Sequence, residues 1–188
     1  MHLDIGLGIL NAIFISWLFE LPLSVSMIVW GILFALAPDL DYLIHLARGG
    51  TSKDDYKHRR LLHHPLLFLL ISIGVFWVFG KTWGLMFLLG TLGHFVHDSI
   101  GIGWGVQWLS PFNKNHYSFF YVYSPPHVPN AFPSQLVYEW KYEELDELNQ
   151  KYGDSNWLRN IYGKMHPFAL AESIVFIAAV AGLYLYLK

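Results

Sequence analysis

Five apolar stretches, at about 3–19, 22–37, 64–80, 83–104 and 167–187, each come near the length that crosses roughly 30 Å of hydrocarbon. A chain patterned this way is expected to fold as an all-α, polytopic helical membrane protein, a single membrane domain over 1–188 with about five spans. Composition agrees: 54% of the residues are hydrophobic and only 14% are charged, too apolar a balance for an ordinary soluble domain. "ELP" (20–22) breaks the first two stretches apart, because Pro22 can begin a helix but cannot sit inside one. The opening residues lack the positive flank of a secretory signal and are read as a retained membrane helix.

Between the stretches, "ARGGTSKDDYKHRR" (47–60) is polar and Gly-rich, hence a loop. Residues 105–134 are aromatic and rich in proline, which disfavours helix and suits a loop at the membrane–water interface. "SQLVYEWKYEELDELNQKYG" (134–153) has Ser134 as a plausible N-cap, apolar residues at helical spacing and Gly153 as a stop, so an amphipathic extramembrane helix is expected within an extramembrane region of about 105–160.

If five helices alternate across the bilayer, one face receives His2, Asp39, Asp41, His45, His58, His63, His64, His94, His97, Asp98 and His166. The same face receives every Lys and Arg except Lys81 and Lys188. By the positive-inside rule that face is cytoplasmic, and the expected location is the inner membrane. The formal charge of −2 and the scattered cations give no basic face for phosphate backbones, so nucleic acid is not an expected partner. There is no cysteine, so any metal must be held by imidazole and carboxylate.

Three segments carry that chemistry. In "LGHFVHDSIG", His94 and Asp98 are four apart, so on a helix they face one way and can clasp one ion; His97 lies off that face. "APDLDYLIH" offers Asp39, Asp41 and His45, and "HRRLLHHP" offers His58, His63 and His64. Ionisable side chains at membrane depth are costly unless paired or ligated, which favours a shared metal site. Mixed carboxylate and imidazole donors suit zinc, with manganese or iron as other choices, and the count allows one to three ions. Each segment has a plainer reading too. His94 with Asp98 could be an interhelical hydrogen bond, "PDLD" a helix stop, and Arg59 and Arg60 interfacial anchors instead of phosphate ligands. His116, His127 and His166, taken singly, read as hydrogen-bonded interfacial residues. Glu172 lies inside the last apolar stretch and is a functional candidate or a partner for a neighbouring helix.

"PDLD", "HRRLLH" and "LGHFVHDSIGIGWGVQWLSPF" resemble, in order and spacing, the motifs of the YdjM-type membrane-bound metal-dependent hydrolase family, over about residues 1–112. The resemblance implies a site of Asp39, Asp41, His58, His63, His94 and Asp98, with His2 matching a histidine often found near the start of such proteins. Leu62 stands where that family commonly has Thr, and His64 where it has Ser. The family is in turn similar to zinc-dependent phospholipases C and single-strand nucleases. A hydrolase of a phosphoester in a lipid or other small amphiphile is therefore expected, with Asp39 or Asp41 as a general base and Arg59 or Arg60 on the phosphate. Two other classes compete: a divalent-metal transporter or sensor using the same ligands, and a membrane scaffold with a structural metal. Against a transporter, the opposite face offers little beyond Glu20 and Lys81. Oligomeric state is not legible.

Overall fold

The computed structural model describes residues 2–50, 57–120, 123, 125–129 and 132–188. Residues 51–56 of the expected loop, and positions 121, 122, 124, 130 and 131 of the aromatic stretch, lie outside the described residues. The chain is mostly helical: α1 His2–Leu18, α2 Val25–Leu36, α3 Leu40–Ala47, α4 Pro65–Phe79, α5 Lys81–Ser99, α6 Leu145–Tyr152 and α7 Pro167–Tyr186. All five apolar stretches form helices, although the fourth, expected to run to 104, ends at Ser99.

Among the described residues two of them, not five, are long and apolar enough to cross a membrane: the run Val25–Ala47, of 23 residues, and Pro167–Tyr186, of 20. The physical reason is length and charge. At about 1.5 Å per residue, α1 with 17 residues and α4 with 15 fall short of a hydrocarbon core of roughly 30 Å. α5 has 19 residues but ends in His94, His97 and Asp98. The second stretch is the reverse case, since it runs on through a 3₁₀ turn at Ala37–Asp39 into α3 and so gains length the sequence reading did not give it. The alternation of five helices, and the sidedness drawn from it, does not carry over.

The chain forms two compact units. The first comprises 1–38, 67–94 and 169–188. Its helices pack by small residues: a Cβ on Gly8 would lie 2.5 Å from the Ile32 Cα, so α1 and α2 touch backbone to backbone. Ala12, Ile15, Met27 and Met86 form its core, with Phe34 edge-on to Trp83 and Phe87. Asn11 donates from Nδ2 to the Met86 carbonyl at 2.7 Å, which satisfies the donor side of a buried amide among apolar helices.

The second unit comprises 39–66 and 95–168. Here the all-α expectation needs correcting. β1 (His116–Phe119) pairs antiparallel with β2 (Val137–Trp140), His116 opposite Trp140 and Phe119 opposite Val137. The expected helix over 134–153 therefore begins only at Leu145. In "VYEW", Tyr138 and Trp140 alternate with exposed Val137 and Glu139, a period of two that buries both rings, and β-branched and aromatic side chains favour that conformation. Gly153 does end α6, its N–H donating to the Asn149 carbonyl at 2.9 Å. Trp104, Tyr138, Trp140 and Leu145 make the core of this unit, and Trp140 donates from Nε1 to Ser118 Oγ at 2.8 Å. Gly105, at φ +71°, is obligatory: a Cβ there would sit 2.0 Å from the Tyr117 carbonyl oxygen.

Candidate metal centre

Pro38 closes α2 through the 3₁₀ turn and α3 starts again directly after Asp39. On α3 the positions 41, 44, 45 and 48 follow the helical spacing of one face, and that face turns Asp41, Ile44, His45 and Arg48 into a cavity of about 480 Å³. The segment 57–60 makes a helical turn, and residues 61–64 then bend back toward Asp41. The bend is fixed by Asp41 itself: its Oδ2 accepts from the Leu62 N–H at 2.9 Å and from His63 Nδ1 at 2.9 Å.

Asp41, His58 and His63 are all buried, and each offers one ligand atom within 4.8 Å of the others. The His58 and His63 rings meet edge to face with centroids 5.1 Å apart. Asp41 is fully enclosed, and its Oδ1 has no hydrogen-bond partner among the described residues. A carboxylate oxygen left without a partner in the interior is costly, and a cation is a natural partner for it. One carboxylate with two imidazoles is also a donor set that suits zinc. The residues thus fit a divalent metal.

Charge around the group is organised. Asp98 Oδ2 lies 3.0 Å from His63 Nε2, and Asp98 Oδ1 lies 3.2 Å from Arg59 Nη2. Arg59 also donates from Nη1 to the Asp98 carbonyl at 3.1 Å, so its guanidinium clamps this residue by main chain and side chain together. Asp39 Oδ1 is 3.9 Å from His63 Nε2. Burial acts to lower the His63 pKa, but hydrogen bonds and charge from Asp41 and Asp98 outweigh it and lift the value to about 9.

The remaining sequence candidates fall in both units. His45 stacks on Tyr42 and lies beside His58, with centroids 6.4 Å apart. His64 is half-buried, and burial depresses its pKa. His97 stacks on Phe168 at 6.0 Å. Arg60 bonds Asp146 at 3.2 Å and lies over the Tyr142 ring. In the first unit, His94 pairs with Asp4 at 3.2 Å, and His2 pairs with Glu172 at 3.5 Å. Of the plain interfacial histidines, His127 is exposed and His166 half-buried against Tyr123. His116 is different, being 1% exposed on β1, where burial drives its pKa down to about 4.

Sequence reasoning did not single out Asp4. Its signal would have been its burial partner on α5, which spacing cannot supply. Arg48 and Lys57, also on the cavity wall, went unnoticed except as loop charges.

The family model of the YdjM inner membrane protein matches residues 2–186. The chain belongs to the YdjM inner membrane protein family. No curated protein and no solved structure matches it. Membership covers nearly the whole chain, so the motif segments and the β-hairpin with α6 belong to one family unit, associated with the lipid bilayer.

Proposed function

We propose that this member of the YdjM family is a metal-dependent hydrolase of a phosphoester in a lipid or other amphiphile, working from a multi-pass position in the inner membrane. The observation that carries the reading is the buried group Asp41, His58 and His63, two of whose members, Asp41 and His58, reach the wall of an open cavity. A structural metal has its coordination closed by protein, whereas a catalytic one needs room for water and substrate, and this cavity favours the second case over the scaffold reading.

Asp41, His58 and His63 would hold the ion. A divalent metal there, zinc by the donor set, would supply Lewis acidity toward a phosphoryl oxygen and lower the pKa of water. The chain's own residues do the rest. Asp41 is held in place by the Leu62 N–H and by His63, which keeps the donor geometry ready before any ligand arrives. Arg59, committed to Asp98, orients that carboxylate against His63 and does not reach for substrate. Arg60, on the cavity wall, is the guanidinium placed to meet the phosphate. Asp39, half-buried near His63, is the carboxylate that takes a proton from water.

The test is elemental analysis of the full chain in detergent, wild type beside H58A, with phosphate release from monoester and diester substrates followed on the same samples. At least about one equivalent of zinc or manganese is expected in the wild type. It should be lost in H58A together with turnover. A wild-type chain that stays metal-free after reconstitution with zinc, manganese and iron overturns the reading, and so does a metal-loaded chain that releases no phosphate from any ester.

A further inference from the structure

The cavity beside the Asp41–His58–His63 group has a wall chemistry that the metal alone does not require. Among the described residues, three cations line it, Arg48, Lys57 and Arg60, together with the carboxylate of Asp41. Arg48 caps the C-terminus of α3 and is exposed, and Lys57 is exposed at the start of the next described segment. Arg60 is fixed in direction by Asp146 and by the Tyr142 ring 4.7 Å from its Cζ. Two apolar side chains, Ile44 and Leu61, complete the rim, and they are 38% and 43% exposed.

Position in the fold adds a second, independent observation. Asp41 and Ile44 lie on the last two turns of the candidate span Val25–Ala47, and Arg48 follows immediately where that apolar run ends. A cationic side chain at the end of a span sits at headgroup level. On the same short helix Leu40, Leu43 and Leu46 are exposed, between 43% and 61%. One helix thus presents an apolar surface beside a cationic, metal-competent cavity.

From these facts we infer that the cavity recognises a lipid with a terminal phosphate monoester, and that Arg48 and Lys57 set this specificity. The inference rests on the metal-centred reading above and names its substrate class. A terminal phosphate carries up to two negative charges and three free oxygens, whereas a diester carries one charge and two. The cations of this wall match the dianion, and Arg48 with Lys57 meets the oxygen that a diester would have esterified. Ile44 and Leu61 form the lip over which the acyl chains leave toward the bilayer.

The experiment is calorimetric titration of the metal-loaded full chain with phosphonate analogues of short-chain phosphatidic acid and phosphatidylglycerol, which cannot be turned over, and with glycerol 3-phosphate. The expected result is at least about tenfold tighter binding of the phosphatidic acid analogue than of the phosphatidylglycerol analogue, a difference in keeping with one extra charged contact. In R48Q/K57Q this preference should fall at least about fivefold, with metal content per chain unchanged, and R48K should retain more of it than R48Q. Equal affinity for the two analogues overturns the inference, as does a preference that survives in R48Q/K57Q. Binding of glycerol 3-phosphate as tight as that of the phosphatidic acid analogue overturns the lipid assignment. A chain that shows the preference but releases no phosphate keeps this inference and loses the hydrolase, so the two failures are distinguishable.

Discussion

Both units bury histidine against carboxylate, and they do so in different company. In the first unit Asp4 stands beside His94 and His2 beside Glu172, set among helices that pack by Gly8, Gly31 and Ala12. In the second unit Asp41, His58 and His63 form a group of three donors, and a cavity with Arg48, Lys57 and Arg60 on its wall opens beside them. The difference teaches that residue type and burial do not by themselves mark a site. What marks the second unit's group is the space for a ligand that opens beside its donors. The contrast predicts that metal affinity and helix packing respond to different substitutions.

The largest effect is expected from D41A. Asp41 is at once a donor of the group and the acceptor that holds Leu62 and His63, so its loss removes a ligand and releases the bend that carries another. Metal affinity should fall more than roughly 100-fold, beyond what loss of a supporting hydrogen bond alone costs. Competition against a chelator of known affinity reads this directly. A D41A chain that binds zinc like the wild type would erase the distinction between the two regions.

His116 supplies the next effect, and here the sign can be worked out. Burial drives its folded pKa down to about 4 from an ordinary 6.5, so the folded chain resists a proton that the unfolded chain accepts. The stabilisation is complete above pH 6.5 and is lost as pH falls from there toward 4. The span of the shift corresponds to about 3 kcal/mol at the acid end. Unfolding midpoints at pH 7.5 and 5 should separate in the wild type and draw together in H116F. Equal separation in both would mean that acid sensitivity arises elsewhere.

These expectations also show how far the sequence could be read. The positions of the five apolar helices were legible because long uninterrupted runs of Leu, Ile, Phe and Val have one outcome near a bilayer. Their number as spans was not, because α1 and α4 are short by only a turn or two, a margin that composition does not resolve. Asp41, His58 and His63 were legible as candidates from type and order. Asp98 was legible too, but its clamp by Arg59 was not, since residues 39 apart in sequence meet only in the fold. The hairpin was hidden because "LVYEW" fits a helical spacing as well as a strand alternation. The ring contacts of Tyr138 and Trp140 that decide between them are tertiary. His116 passed as an interfacial residue because burial cannot be seen in a single histidine.

On the packing side of the comparison, Gly8→Ala should destabilise the chain by about 1–3 kcal/mol, the usual range for overpacking a close interior contact. The new methyl would meet the Ile32 Cα and the Gly31 carbonyl oxygen, both backbone atoms that cannot rotate away. Thermal unfolding in detergent should shift down while metal content per folded chain stays constant. Loss of metal in step with stability would mean that the two regions are not separable.

The smallest effect is expected at His2, which the family resemblance had offered as a metal ligand. In this structure its Nε2 lies 3.5 Å from Glu172 and 3.4 Å from Ser173 Oγ, and its side chain is 35% exposed. Glu172, by contrast, is 2% exposed, so the pair is held mainly from the buried side. A partly solvated ion pair of this kind contributes less than about 1 kcal/mol, because water screens the exposed partner and competes for its hydrogen bonds. His2→Gln keeps a hydrogen-bonding side chain while removing the possible charge, and it should leave both the unfolding midpoint and the metal affinity within error of the wild type. A tenfold fall in metal affinity in that variant would instead make His2 a ligand in its own right, and the pairs of the first unit would then belong with the donors of the second.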